Sequence, residues 1–284
     1  MPRILLLLLA LSPWLAGCQS SHPVSNLVAL FTDFGSGDPY VAQLKGAIKT
    51  IAPSSEILDL SHENAAFDIS AASYLLAKST HTLPPGTIIV AVVDPGVGSN
   101  RGGVAVRTAS GHIFVAPDNG ILTEVLAREG VAEARTLNTQ NTAGVSSTFH
   151  ARDIFGPVAA RLVGSKSMEF CGPKAEKILR LPRNTATVMA NLAKGQVLYV
   201  DHYGNILTNI PGSEITKLKP GQLLSLTIKG KNLSVPFLRT YAEAPADRPF
   251  ALINSDGEFE IAVNKGSAAR ELGVKVGDPV VLKL

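Results

Sequence analysis

The stretch VAVVDPGVGSNRGG, Val90 to Gly103, decides the fold. Four apolar residues run unbroken into Asp94, and the next nine positions hold four glycines, a proline and a single cation, Arg101. An uninterrupted apolar run bounded by turn residues marks a strand buried on both faces, as in a parallel sheet covered by helices. A plain turn needs one or two glycines for the left-handed backbone they tolerate. Four imply a loop shaped around something, with a carboxylate at one end and a guanidinium at the other.

The same pattern recurs on either side. LVALF (27–31) gives way to TDFGSGDP and the helical YVAQLKGAIKTIA, and EILDLS (56–61) precedes an amphipathic segment from Ile69 to Lys78. TIIVAVV (87–93) enters the glycine loop, and HIFVAPDNG (112–120) sets Asp118 and Asn119 before a helix-like segment, Ile121 to Glu129. Strands alternating with helices predict an α/β domain over 27–173, with a mainly parallel or mixed sheet flanked by helices. Such sheets bind ligands at the carboxyl ends of their strands, where Asp33 and Asp94 stand. Residues 174–193, rich in lysine, proline and arginine, read as a connection. Beyond them GQVLYVDHYGNILTNI, QLLSLTIKGKNLSVPFL, FALINSDGEFEIAVN and DPVVLKL are short strands, and only Gly266 to Leu272 is helical in pattern. They predict a small all-β, barrel-like domain over 194–284.

A composition of 45% hydrophobic and 17% charged residues supplies an ample core and excludes a disordered chain. A net charge of +3 without any lysine or arginine run, and 6% aromatic residues, give no footprint for nucleic acid. The opening MPRILLLLLALSPWLAGC resembles a bacterial lipoprotein signal, with residues 1–17 removed, lipid on Cys18 and a tether over 18–26. The resemblance implies a periplasmic, lipid-anchored protein, and Gln19 after the cysteine favours the outer membrane. The apolar stretch falls short of the ~20 residues that span a bilayer. Cys171 is then the one remaining cysteine of two, so no internal disulfide forms. No histidine or cation adjoins it in sequence to activate the thiol, which makes it structural.

Chemistry-bearing residues cluster in two places. Asp94 and Arg101 can fold towards each other across the glycine loop, and a guanidinium favours the charged form of an acid it holds. STFHARDIFGPVAARL (147–162) places His150 just before a helix beginning near Asp153, and histidine is the usual acid or base near neutral pH. Singly these are ordinary: a turn acid, a surface ion pair, a loop histidine. Asp33, Asp38, Asp94, Asp118, His150 and Asp153 offer metal ligands, yet no metal-binding spacing is present, and neither a P-loop nor G-x-S-x-G occurs.

Taken together, TDFGSGDPYVAQLKG, PPGTIIVAVVDPGVGSNR, FVAPDNGIL, STFHARDIFGPVAA, VDHYGNILTNI and NSDGEFEIAVNKGSAA resemble the S-adenosyl-L-methionine (SAM) hydroxide adenosyltransferases. These are SAM hydrolases related to the fluorinases and chlorinases, and the likeness runs from Thr32 to Ala269. It implies an Asp94–Arg101–His150 triad, lacking in the halogenating relatives, that activates water to attack the ribose 5′ carbon. Methionine leaves, adenosine remains, and no metal or other cofactor takes part. His150 would accept the proton or orient the water, with Asp94 its ionised partner and Arg101 fixing the carboxylate; the sequence leaves open which member takes the proton. By the same resemblance Asp33 holds the ribose hydroxyls, Asp38 and Asp201 the methionine ammonium, Asn205 the adenine and Ser255 the methionine end. Phe67 packs on the ligand or belongs to the core. The family likeness also implies a homotrimer with sites between subunits. Two positions depart from the family pattern: Ala151 replaces a glycine, and Asp256 stands where an aromatic or basic residue is common. A lipid-anchored nucleoside-binding protein and a metal-dependent hydrolase are the competing readings.

Overall fold

The computed structural model describes residues 25–63, 66–139, 144–165 and 167–284; Cys18 and the leader expected before it lie outside them. The N-terminal part runs β1 (Leu27–Thr32), α1 (Tyr40–Ile51), β2 (Glu56–Ser61), α2 (Ile69–Thr80), β3 (Ile88–Val92), β4 (Gly103–Arg107), β5 (Ile113–Pro117), α3 (Thr123–Glu129) and β6 (Glu133–Leu137). A π-helical turn (Ala151–Phe155) then leads into α4 (Gly156–Leu162).

These strands form one sheet in the order β2-β1-β3-β5-β4-β6. The pairs among β2, β1, β3 and β5 are parallel, whereas β4 pairs antiparallel with both β5 and β6. The sheet is therefore mixed. The period of two along each strand explains why β3, and β1 as far as Thr32, are apolar. Val28, Leu30, Ile88, Val90 and Val92 face a core shared with Leu44 and Ile48 of α1 and Phe155 and Ala159 beyond. Ala29, Phe31, Ile89, Ala91 and Val93 face a second core with Leu76 of α2 and Val125 of α3. Helix α4 packs on α1 at Gly156, where a Cβ would stand 2.7 Å from the Leu44 Cδ1 atom, so only glycine allows this approach.

The C-terminal part comprises β7 (Thr187–Met189), β8 (Leu192–Val200), β9 (Ile206–Pro211), β10 (Leu223–Ile228), β11 (Lys231–Pro236), β12 (Pro249–Ile253), β13 (Glu258–Val263), α5 (Ala268–Leu272) and β14 (Pro279–Lys283). Its sheet is ordered β11-β10-β14-β8-β9-β13-β12, with β7 paired to β8. The two ends of that order meet where Leu238 N donates to Ala251 O at 2.8 Å, giving a nearly closed barrel. Its interior is a continuous apolar cluster including Val197, Ile210, Leu226, Phe259 and Ile261.

Strand β7 and the start of β8 fall within the stretch expected to be a connection. The rest of that stretch lies along the N-terminal part: Leu179 N donates to the Asp118 carboxylate and Leu181 N to Thr123 Oγ1, each at 2.8 Å. The connection is also held by Arg183, paired to Glu124 at 2.9 Å, and the two parts meet directly where Tyr74 of α2 donates to Glu258 Oε2 at 2.7 Å.

Candidate active site

Parallel pairing of β1 with β3 aligns Thr32 with Val92, so Asp33 and Asp94 leave the sheet side by side at its carboxyl edge. Asn119 steadies this edge, its Nδ2 donating to Val93 O at 2.9 Å. Asp118 does not join the two acids; its carboxyl is turned to the Leu179 amide, and burial raises its pKa.

The glycine loop brings Arg101 back onto Asp94. Arg101 Nε lies 2.9 Å from Oδ1 and 3.0 Å from Oδ2, and Nη2 also grips Oδ2. Both side chains are nearly buried, with 10% and 5% of their surface exposed. The guanidinium carbon sits 5.3 Å from the ring centre of Phe155, whose side chain is fully buried. Gly98 supplies the close approach that the glycine count suggests. Its φ is +78°, and a Cβ there would come within 2.4 Å of Ser147 O, so the loop lies directly on the segment leading to His150. That segment is pinned by Asp153, which accepts from Ser146 N at 2.8 Å while held by Arg152 Nε at 2.6 Å. His150 immediately precedes the π-helical turn, a wider coil often found at functional positions.

Arg101 Nη2 reaches His150 Nδ1 at 3.0 Å. A guanidinium only donates, so Nδ1 accepts and the ring's proton sits on Nε2. Burial lowers the His150 pKa, the Arg101 charge lowers it further, and Asp94 and Asp153 oppose without prevailing. The imidazole is thus held neutral, and this differs from the expected pairing of Asp94 with His150. Arg101 stands between them because its fork can serve a carboxylate and an imidazole at once. With Nδ1 engaged and Nε2 protonated, His150 is a donor, whereas Asp94 keeps lone pairs to accept.

Asp33, Phe67, Asp94 and His150 line one cavity of about 240 Å³, whose wall includes Phe34, Tyr40 and Phe149. These three rings meet edge to face, with centres 5.5 to 6.2 Å apart. Phe67 is 71% exposed, so it is not a core residue. Its φ of +67° is a strained backbone for a bulky side chain. Its amide donates to Asp33 Oδ2 at 3.1 Å, tying the exposed ring to the acid.

Asp201, Asn205 and Ser255 lie elsewhere in the chain. Asp201 Oδ1 accepts from Tyr203 N and Asn205 N, and Oδ2 accepts from Asn205 Nδ2 at 2.9 Å, which leaves the buried Asn205 Oδ1 as an acceptor. Asp201 and Tyr241 are shared by two adjoining cavities of about 620 and 450 Å³, the first lined by Asn205 and the second by Ser255. Neither shares a residue with the cavity at Asp94. Asp38 is exposed before α1 and lines none of them. A larger cavity, about 900 Å³ between α2, α3 and the barrel, contains only Ser255 of the expected residues.

A family model described as the SAM hydroxide adenosyltransferase N-terminal domain matches residues 28–172, and its C-terminal counterpart matches 195–281. The chain belongs to the SAM hydroxide adenosyltransferase family. Among relatives, the (R)-S-adenosyl-L-methionine hydrolase of Thermus thermophilus is 35% identical over 266 residues, covering 90% of this chain and 98% of its own. The hydrolase of the same name from Methanocaldococcus jannaschii is 30% identical, covering 93% and 98%. A fluorinase from Nocardia brasiliensis is more distant at 26%, over 91% and 97%. A solved structure of a conserved Thermotoga maritima protein superposes with a TM-score of 0.86 at 34% identity, covering 90% of this chain and 99% of that one. The chain is thus an enzyme of the adenosyltransferase class.

Within this family member the Phe34–Tyr40–Phe149 wall and the Tyr241–Glu260 contact of 2.5 Å were not read from sequence. The available signal was the aromatic flank of each acidic or basic motif, Phe34 after Asp33 and Phe149 before His150. Cys171 is buried and burial pushes its thiol up to about 11, so it is inert. Among the described residues no group of three or more His, Cys, Asp or Glu side chains is placed to hold a metal ion. Nor is any described helix long and apolar enough to cross a membrane.

Proposed function

We propose that this chain hydrolyses SAM to adenosine and L-methionine through Asp94, Arg101 and His150, without a metal. The observation that carries the reading is the Arg101 side chain bonded to both Asp94 and His150 beside a cavity that Asp33 and Phe67 also line. Water is held between the Asp94 carboxylate, which accepts its hydrogen, and the His150 Nε2–H, which donates to it. A lone pair then attacks the ribose 5′ carbon in line with sulfur. The sulfonium departs as a neutral thioether, so no general acid is needed, and the surplus proton passes to Asp94 and on to solvent. Catalysis is therefore orientation plus removal of competing water. Asp33 accepts from the ribose diol and Phe67 covers the sugar.

A cavity of about 240 Å³ is below the ~300 Å³ at which ligand pockets begin, so it holds only part of SAM. Asn205, Asp201 and Ser255 then complete the site from a neighbouring copy, Asn205 Oδ1 accepting from the adenine amino group and Asp201, with Asp38, meeting the ammonium. This is the physical argument for a site shared between copies, and the count of three follows the family resemblance. In the same reading 27–173 and 194–284 are the two domains joined by 174–193, and Cys18 carries lipid that tethers the enzyme in the periplasm at the outer membrane.

The relatives' names specify the R configuration at sulfur, so the test uses both sulfonium epimers. Purified protein is incubated with each, and adenosine and methionine are followed by chromatography. The expectation is equimolar products and a strong loss of turnover in His150→Ala with affinity largely kept. Absence of adenosine from both epimers, or a His150→Ala enzyme at full rate, rejects the assignment.

A further inference from the structure

The cavity of about 450 Å³ that Ser255 lines has an uneven charge distribution. Three carboxylates, Asp201, Asp256 and Glu260, face it, and Arg239 is its one cationic side chain among the described residues. The acids are each already engaged. Asp201 closes its own turn, Asp256 lies 3.6 Å from Lys78 Nζ, and Glu260 accepts from Tyr241 OH. Arg239 is not: its backbone N–H donates to Glu243, but no ion pair or hydrogen bond among the described residues engages its guanidinium. It sits in the turn after β11, next to Leu238, whose amide is fixed to Ala251 of β12. The stem of this arginine is thus anchored at the barrel seam while its head remains available.

The amino-acid end of SAM is a zwitterion. Its ammonium is suited to this acidic wall, but its carboxylate entering the same cavity meets like charge on several sides. A like charge at close range is unfavourable unless a cation or donor intervenes. We propose that Arg239 binds the α-carboxylate of the substrate and sets the enzyme's selectivity for an intact amino-acid end. A guanidinium fork matches a carboxylate with two parallel N–H bonds, which Lys or Gln in its place cannot reproduce. The inference rests on the hydrolase reading of this site and adds a residue to it.

The test compares SAM with decarboxylated SAM, which lacks only that carboxylate, on wild type, Arg239→Gln and Arg239→Lys. Charge-assisted hydrogen bonds imply that wild type prefers SAM by at least about tenfold in kcat/KM. Arg239→Gln abolishes that preference by losing rate on SAM alone, and Arg239→Lys retains part of it. Affinities for adenosine, measured by calorimetry, stay equal across the three proteins and certify their folding. An Arg239→Gln enzyme that still prefers SAM to the wild-type extent, or a wild type that does not distinguish the two compounds, overturns the proposal. If wild type releases adenosine from neither compound, the hydrolase reading has failed. The calorimetric affinity ratio of the same two ligands then decides the role of Arg239 alone.

Discussion

Replacing Arg101 probes the site most sharply, because one side chain grips Asp94, bonds His150 Nδ1 and stacks on Phe155. Arg101→Lys keeps the charge but not the fork, so it can serve the acid or the imidazole and not both. Each charge-assisted bond lost is worth about 1.5–3 kcal/mol. If one such bond is fully used in the transition state, kcat falls by about a hundredfold, since each 1.36 kcal/mol is about tenfold in rate. Arg101→Met goes further. It strands Asp94, whose side chain is 5% exposed, and leaving a buried charge unpaired costs about 3–5 kcal/mol of stability. Burial still lowers the His150 pKa in this variant, but the Arg101 charge that lowers it further is gone, so Asp94 and Asp153 are opposed less and the pKa rises. Below its pKa, His150 is an imidazolium whose Nδ1 can no longer accept from Arg101, so turnover falls on the acid side. The acid limb of the pH–rate profile should therefore lie below the ordinary histidine value in wild type, and the titration of the imidazole itself, followed by NMR, should move upward in Arg101→Met. The assay is adenosine release across pH, with calorimetric unfolding alongside. A lysine variant within threefold of wild-type rate, or an imidazole titration that stays put in the methionine variant, would refute the reasoning.

Other positions make separable predictions. Phe67→Gly should relieve the left-handed strain at φ +67° and raise stability by on the order of 1 kcal/mol, while raising KM as the ring is lost; unfolding and steady-state kinetics read the two effects. Gly98→Ala places a Cβ 2.4 Å from Ser147 O and should lower kcat more than a distant Gly230→Ala, where no atom lies within 4 Å. Stability should also depend on a buried pair remote from the site. His112 Nδ1 lies 3.0 Å from Glu129 Oε2. Burial pulls the histidine pKa down, but its bonds to Glu129 and Leu83 outweigh this and leave it raised, while Glu129, despite burial, is held at about 2. A raised histidine pKa contributes stability below its unfolded value and loses it as pH climbs through the folded one. The melting temperature of wild type should thus decline above about pH 6.5, and His112→Gln should flatten that decline. An unchanged slope in the variant would contradict the pairing.

How far the sequence alone reveals this arrangement depends on the range of the interaction. Strands β1 and β3 are legible because burial on both faces leaves no polar position before Thr32 at the end of β1, and the acids following them mark the carboxyl edge. Strands β4 and β6 are not, because GGVAVR starts inside the glycine loop and EARTL is polar enough to pass for a turn. The π-helical turn at Ala151 is invisible to a periodicity argument tuned to 3.6 residues. The Asp94–Arg101 pair is local, and its spacing gives it away. The bond from Arg101 to His150 spans 49 residues and requires the loop to settle on Ser147, which no pattern specifies. The exposure of Phe67, undecided between core and ligand wall, follows from a backbone conformation that composition does not encode.

The central claim is that solvent oxygen displaces sulfur at the ribose 5′ carbon. Its most direct test is turnover of SAM in heavy-oxygen water, with mass analysis of both products. The account predicts one heavy oxygen in the 5′ hydroxyl of adenosine and none in methionine. Label found in methionine, or adenosine released without label, would contradict it.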